Sequence, residues 1–88
     1  MLYMTIATWR PENRDAIVKR FIETGGKSPP GVKLLGRWGD SAGGRTFTLT
    51  ESDDPVAIGK GAYMWNDLIN LEVIPVGDDE TLAKVLAG

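Results

Sequence analysis

Segments that alternate apolar and polar residues take turns along this chain with segments whose apolar residues recur every three or four. That order leaves few folds open. Leu2 to Thr8, LYMTIAT, places Leu2, Met4 and Ile6 on one side and Tyr3, Thr5 and Ala7 on the other, which is the period of a strand. Pro11 then suits a first helical position, with Glu12 in the electropositive first turn. Ile17, Val18, Phe21 and Ile22 follow at helical spacing, and Gly25-Gly26 closes the run, so a helix is predicted from about Pro11 to Glu23. Val32 to Asp40 and Arg45 to Ser52 read as two further strands. Asp54 and Pro55 open a second helix, from Val56 to about Leu68, with Ile58, Ala62 and Trp65 on one stripe. LEVIPV is a fourth strand, and a short last helix is capped by Asp78 or Asp79. The order β-α-β-β-α-β defines an α+β, ferredoxin-like domain with one antiparallel sheet, spanning residues 1–88 as a single unit. Right-handed crossovers send the fourth strand to an edge beside the first. Pro75, which lacks a ladder donor, fits that edge.

The side-chain inventory removes many chemistries. The chain has no cysteine and no histidine, so it has no disulfide, no thiol nucleophile, and neither the commonest general base nor the commonest transition-metal ligand. Ten basic and twelve acidic residues give a net charge of −2, against a nucleic-acid or anionic-membrane surface. The N-terminal apolar run is too short for a membrane span and lacks a basic leader. A cytoplasmic location is the expectation.

Two stretches invite a catalytic reading. Gly39 to Gly44, GDSAGG, looks like the nucleophile loop of a serine protease, but no histidine can take the serine proton. It falls between two strands and reads as a hairpin turn. Gly26-Lys27-Ser28 resembles the end of a phosphate loop, yet Phe21 stands where the first glycine belongs and the segment leaves a helix rather than entering one. It reads as a helix stop. The acidic residues Glu51, Asp53 and Asp54 suit a helix N-terminus better than a hard cation, so no metal site is expected.

Sheet faces carry more information. If the helices cover the face bearing Leu2, Met4, Ile6, Phe47, Leu49 and Val73, the other face carries Tyr3, Thr5, Ala7, Thr46, Thr48, Thr50, Ile74 and Val76, with Leu35, Arg37 and Glu72. Such a half-apolar, lysine-poor face is expected to be shielded by a second copy of the chain, sheet against sheet, around a partly polar space. Tyr3, Thr5, Arg37, Thr48 and Glu72 are then the candidate ligand contacts. Trp38 joins them if the hairpin register slips; opposite Phe47, with Val32 and Leu34, it belongs to the helix-side core.

The segments MLYMTIATWRPENRD, GVKLLGRWGDSAGGRTFTLTESDDP and NLEVIPV together resemble a family of small prokaryotic domains of unknown function, itself similar to the dimeric α+β barrel superfamily of muconolactone isomerases, antibiotic-biosynthesis monooxygenases and GYD-type domains. The resemblance covers nearly the whole chain and implies a homodimer. Relatives in that family often carry histidine where this chain has Gly39. The leading expectation is a homodimer holding a small, fairly apolar or aromatic molecule between its sheets, with no cofactor. The alternatives are a cofactor-independent monooxygenase or isomerase, with Tyr3 or Glu72 moving a proton, and a dimerisation domain with no ligand.

Overall fold

The computed structural model describes all residues, Met1–Gly88. Strand β1 is Leu2–Thr8; a single 3₁₀ turn, Pro11–Asn13, leads into helix α1, Arg14–Thr24. Strands β2, Lys33–Gly39, and β3, Arg45–Glu51, form a hairpin, followed by α2, Pro55–Tyr63, β4, Asn70–Val76, and α3, Asp79–Leu86. The four strands form one antiparallel sheet in the order β2-β3-β1-β4. The ferredoxin-like arrangement holds, with β4 at an edge and Pro75 opposite Tyr3. No helix is long and apolar enough to cross a membrane.

Local chemistry sets the joints. Gly25 at φ 68° and Gly26 at φ 65° end α1 in the left-handed region that only glycine enters freely. The Asp54 carboxylate accepts from the Val56 N–H at 2.9 Å and caps α2, while Pro55 needs no such partner. Asp78 caps α3 by accepting from the Thr81 N–H at 2.9 Å. Ser52, buried where β3 meets α2, donates to the Gly31 carbonyl at 2.7 Å and accepts from the Asp54 N–H at 3.0 Å. GDSAGG is a hairpin turn: Asp40 accepts from the Ala42 N–H and from Arg45, its carbonyl accepts from Gly43, and Gly43 and Gly44 supply the positive φ.

The sheet faces are the reverse of the sequence expectation. Cross-strand pairing puts Leu34, Thr50 and Tyr3 in one row, Arg37, Thr48, Thr5 and Val73 in the next, and Gly39, Thr46, Ala7 and Leu71 in a third. This threonine-bearing face is the one the helices cover, because Ile17, Phe21, Ile58 and Ala62 enclose a shared space with Thr5, Thr46, Thr48 and Thr50. The uncovered face carries Trp38, Phe47, Ile6 and Glu72 in one row, Gly36, Leu49, Met4 and Ile74 in another, and Leu2 and Val76 beyond. Of the residues expected under the helices, Val73, Val32 and Leu34 lie on that side; Leu2, Met4, Ile6, Phe47 and Leu49 face away, as do Ile74, Val76 and Glu72. Trp38 does oppose Phe47, but on the open side, 55% exposed and folded over Gly36. A bulge at Leu35 changes the parity within β2, which sends Leu34 to the threonine face while Trp38 points the other way.

The buried core is correspondingly small. Ala7, Ile17 and Ile69 form its centre, with Trp9, Trp65, Leu68 and Leu71 packed around them. Helix α2 stops at Tyr63, five residues short of the expected Leu68, so Trp65 sits in the following turn rather than on the helix.

Candidate functional site

Threonine, alanine and valine are short, and a helix pair laid over them cannot close every gap. Between the helices and the sheet lies a cleft of about 190 Å³. Its floor is the row Arg37, Thr48, Thr5 and Val73, one residue from each strand, flanked by Thr46 and Thr50. Ile17 and Phe21 of α1, Ile58 and Ala62 of α2, and Trp65 supply much of the opposite wall. The hydroxyls of Thr5, Thr46, Thr48 and Thr50 enter none of the side-chain hydrogen bonds that join the elements, and no buried side-chain polar atom is left without a partner. The cleft therefore offers hydroxyl donors and acceptors that the fold itself does not consume.

The two ends of the cleft differ. At the β1–β4 side it meets the apolar cluster of Ile69, Leu71 and Trp9. At the β2 edge it is walled by Gly26, Lys27, Ser28 and Pro29, the turn after α1. Arg37 reaches this turn from β2: one guanidinium nitrogen donates to the Gly26 carbonyl at 2.8 Å, and the group lies 5.2 Å from the centroid of the Phe21 ring. Gly26 is required by this approach as well as by its φ. A Cβ there would sit 2.5 Å from the Phe21 ring and 2.9 Å from an Arg37 nitrogen.

The roof is held by one ion pair. Arg20 of α1 donates through both terminal nitrogens to the Asp67 carboxylate, at 2.6 and 2.8 Å, and also to the Met64 carbonyl at 2.8 Å. Its guanidinium lies 5.6 Å from the Trp65 ring centroid. The bidentate hydrogen bond from Arg20 holds Asp67 below the usual carboxylate range, and the same contact raises Arg20. Asp40 is likewise lowered, first by the Ala42 N–H and then by Arg45, but it belongs to the hairpin turn and not to the cleft.

Three of the expected contacts, Thr5, Arg37 and Thr48, are thus brought together in a single row of the floor. Tyr3 shares their face but lies outside the cleft, where its hydroxyl reaches the Met1 sulfur at 3.5 Å. Trp38 and Glu72 stand on the opposite face of the sheet, so neither can touch a molecule held with Thr5 and Thr48. Tyr3 and Glu72, the two expected proton carriers, are separated by the sheet itself. Lys27 and Phe21 also line the cleft, although neither was among the expected contacts. Lys27 in particular belonged to a segment that looked like nothing more than a helix stop, and only the closeness of that turn to Arg37 gives it a place in a site.

Together, the sheet order and the cleft define a ferredoxin-like α+β domain with a partly apolar cavity between its helix pair and its sheet. The chain belongs to the family described as a domain of unknown function, DUF3303, whose profile matches residues 1–88. Neither the curated proteins nor the solved structures give a match.

Proposed function

We propose that this domain is a small-molecule-binding homodimer, a dimeric α+β barrel in which each subunit holds a small, fairly apolar or aromatic ligand between its own helices and sheet. The observation that carries the reading is the cleft itself: a cavity of about 190 Å³ edged by Trp9, Phe21 and Trp65, over a floor of threonine hydroxyls without other employment. An apolar cavity of about 150 Å³ is enough to hold benzene. A few polar groups in a mostly apolar concavity is the usual make-up of a ligand site. The cysteine-free composition accords with a cytoplasmic setting.

Pairing is supported by the opposite face. Leu2, Met4, Ile6, Phe47, Leu49, Ile74, Val76 and Trp38 form a continuous apolar field, with Lys33, Glu51, Arg45 and Glu72 at its margin. A field of this kind with both charge signs on its rim can meet a two-fold copy of itself, apolar centre on apolar centre. Four strands of seven residues project to about 19 by 23 Å, about half of the ~800 Å² that one partner contributes to a stable complex. Helix α3 is a second exposed apolar element. It buries none of its residues, and Leu82, Val85 and Leu86 are 49, 69 and 86% exposed.

Tryptophan fluorescence tests the ligand reading directly, because Trp9 and Trp65 line the cleft and Trp38 does not. In a Trp38→Phe background, titration with the neutral aromatic 2-naphthol is expected to quench emission saturably. Ala62→Leu, which fills the cleft from α2, should remove the saturable part. Identical titration curves in the two proteins would reject the site.

A further inference from the structure

Ionisable groups are distributed unevenly around the cleft. Of its lining residues only Lys27 and Arg37 carry charge, and both are positive. The chain as a whole is acidic, with twelve carboxylates against ten cations, yet none of those carboxylates lines the cavity. Neither Lys27 nor Arg37 is in an ion pair, whereas Arg20, Arg45, Lys19 and Lys84 each face a carboxylate. Both cations stand at the same end, because Arg37 donates to the carbonyl of Gly26, the residue preceding Lys27. The far end is the apolar cluster of Ile69, Leu71 and Trp9.

We propose that the ligand of this cleft is an anion, a monocyclic aromatic carboxylate or a molecule of the same polarity. Its ring lies toward Trp65 and Leu71 and its acid group at the Lys27–Arg37 end. The proposal rests on the cleft being a ligand site and adds the charge and orientation of what fills it. Arg37 is well prepared for the task. One nitrogen is committed to Gly26 and the planar group is laid on Phe21, so its direction is fixed before the ligand arrives while other N–H groups stay available. A guanidinium so placed meets a carboxylate with short, charge-assisted bonds. Lys27, exposed and on a flexible stem, closes on the anion as a point charge. Thr48, next to Arg37 across the hairpin, is in reach of the same carboxylate or of a ring substituent. The floor from Arg37 to Val73 spans three strand spacings, about 14 Å, which leaves room for a ring beyond the acid group.

Benzoate and benzamide separate the charge from the shape. Calorimetric titration of the full chain is expected to give benzoate at least tenfold tighter binding than benzamide. Arg37→Met should lose that preference while keeping benzamide affinity. Lys27→Met, at an exposed position that no fold contact depends on, should reduce it about threefold and leave thermal stability unchanged. Raising salt should weaken benzoate and not benzamide. Equal affinity for both probes, with Lys27→Met and Arg37→Met without effect, would overturn the anionic ligand and leave the cleft as a neutral site. Binding of neither probe would overturn the cleft as a site and this proposal with it. Arg37→Met also removes the contact to Gly26, so Lys27→Met is the decisive variant if the first melts early.

Discussion

The two faces of this sheet follow opposite rules. The face beneath the helices is rich in threonine, with Ala7, Val73, Leu71, Leu34, Tyr3 and Arg37 among the hydroxyls, and encloses a cavity; the bare face is mostly leucine, isoleucine, methionine, valine, phenylalanine and tryptophan, with Glu72 at its edge. In a self-sufficient monomer the bulky set would go under the helices, since burying each such side chain contributes about 1.5–3 kcal/mol. Here the domain covers its smaller, more polar face with its own helices and leaves the greasier one bare. Space inside and stickiness outside come from the same choice. A face lined with short side chains leaves a gap beneath the helices, and the larger apolar residues stand on the bare side; the proposed function gives the first to a ligand and the second to another copy of the chain.

Adjacent residues of β3 offer the most direct way to break that contrast, because Thr48 and Leu49 point to opposite faces. Leu49→Lys places an unpaired ammonium at the centre of the apolar field, twice across a two-fold interface. It is expected to weaken pairing by at least about 150-fold, the lower end of the about 3–5 kcal/mol that an uncompensated buried charge costs. Sedimentation velocity should show a monomer, while benzoate or 2-naphthol binding per chain stays within about twofold. Thr48→Ile should do the reverse, filling the floor of the cleft and abolishing ligand binding with no change in sedimentation. A monomeric wild-type chain at high concentration, or coupled losses in both variants, would show that the two faces do not have separate duties.

Acid separates the faces by a smaller effect. Asp67 is held below its ordinary range by the Arg20 hydrogen bonds, and this pair ties α1 to the turn carrying Trp65. A carboxyl group with a depressed folded-state pKa contributes stability above its unfolded value and loses it as pH falls through the folded value. Asp40 and Asp78 are lowered too, through the N–H groups of Ala42 and Thr81, and act in the same direction. Stability is therefore expected to fall below about pH 4. Asp67→Asn should flatten that fall, as read from urea midpoints at pH 6 and pH 2.5. Trp65 emission, isolated by replacing Trp9 and Trp38 with phenylalanine, should change before the sheet unfolds, because the roof of the cleft loosens and the open face has no part in the ion pair. An unchanged acid slope in Asp67→Asn would remove this pair from any role in closing the cleft.

Much of the architecture was legible because it depends on local chemistry. The alternation in LYMTIAT and RTFTLT, the left-handed glycines after α1, the Asp54-Pro55 start of α2 and Pro75 at an edge each act within a few residues, and each gave the right element. Alternation also groups residues correctly by face within β1 and β3. It does not say which face the helices take. That depends on the handedness of the crossovers and on the pleat phase at which each strand begins, and choosing by greasiness picked the wrong side. The bulge at Leu35 was invisible for a different reason: it is a property of pairing with β3, and nothing in KLLGRWG marks it. The same two gaps explain the site. Thr5, Arg37 and Thr48 share a row because their strands are in phase there, whereas Glu72 lies on the opposite face from Thr5, and Trp38 stands opposite Phe47, in the favoured register, but on the side the helices leave bare.

Helix α2 gives the smallest and most discriminating test. Its two glycines could serve close approach to the sheet or looseness above the cleft, and their surroundings now differ. A Cβ on Gly61 would meet the Pro29 ring at 3.5 Å, an ordinary contact, whereas one on Gly59 would meet nothing within 4 Å. Close packing is therefore no reason for Gly59. With no steric demand and a helical backbone, Gly59→Ala should stabilise the fold by about 0.5–1 kcal/mol through chain entropy alone. For a domain of this size 1 kcal/mol corresponds to a rise in Tm of roughly 4–8 °C. If the glycine also lets α2 move aside for the ligand, the same variant should slow ligand entry in stopped-flow fluorescence while raising Tm. A higher Tm with unchanged entry would make α2 a fixed wall. A Tm that stays level or drops would mean that the outer side of α2 is occupied in solution, and pairing would then involve the helix layer as well as the bare sheet face.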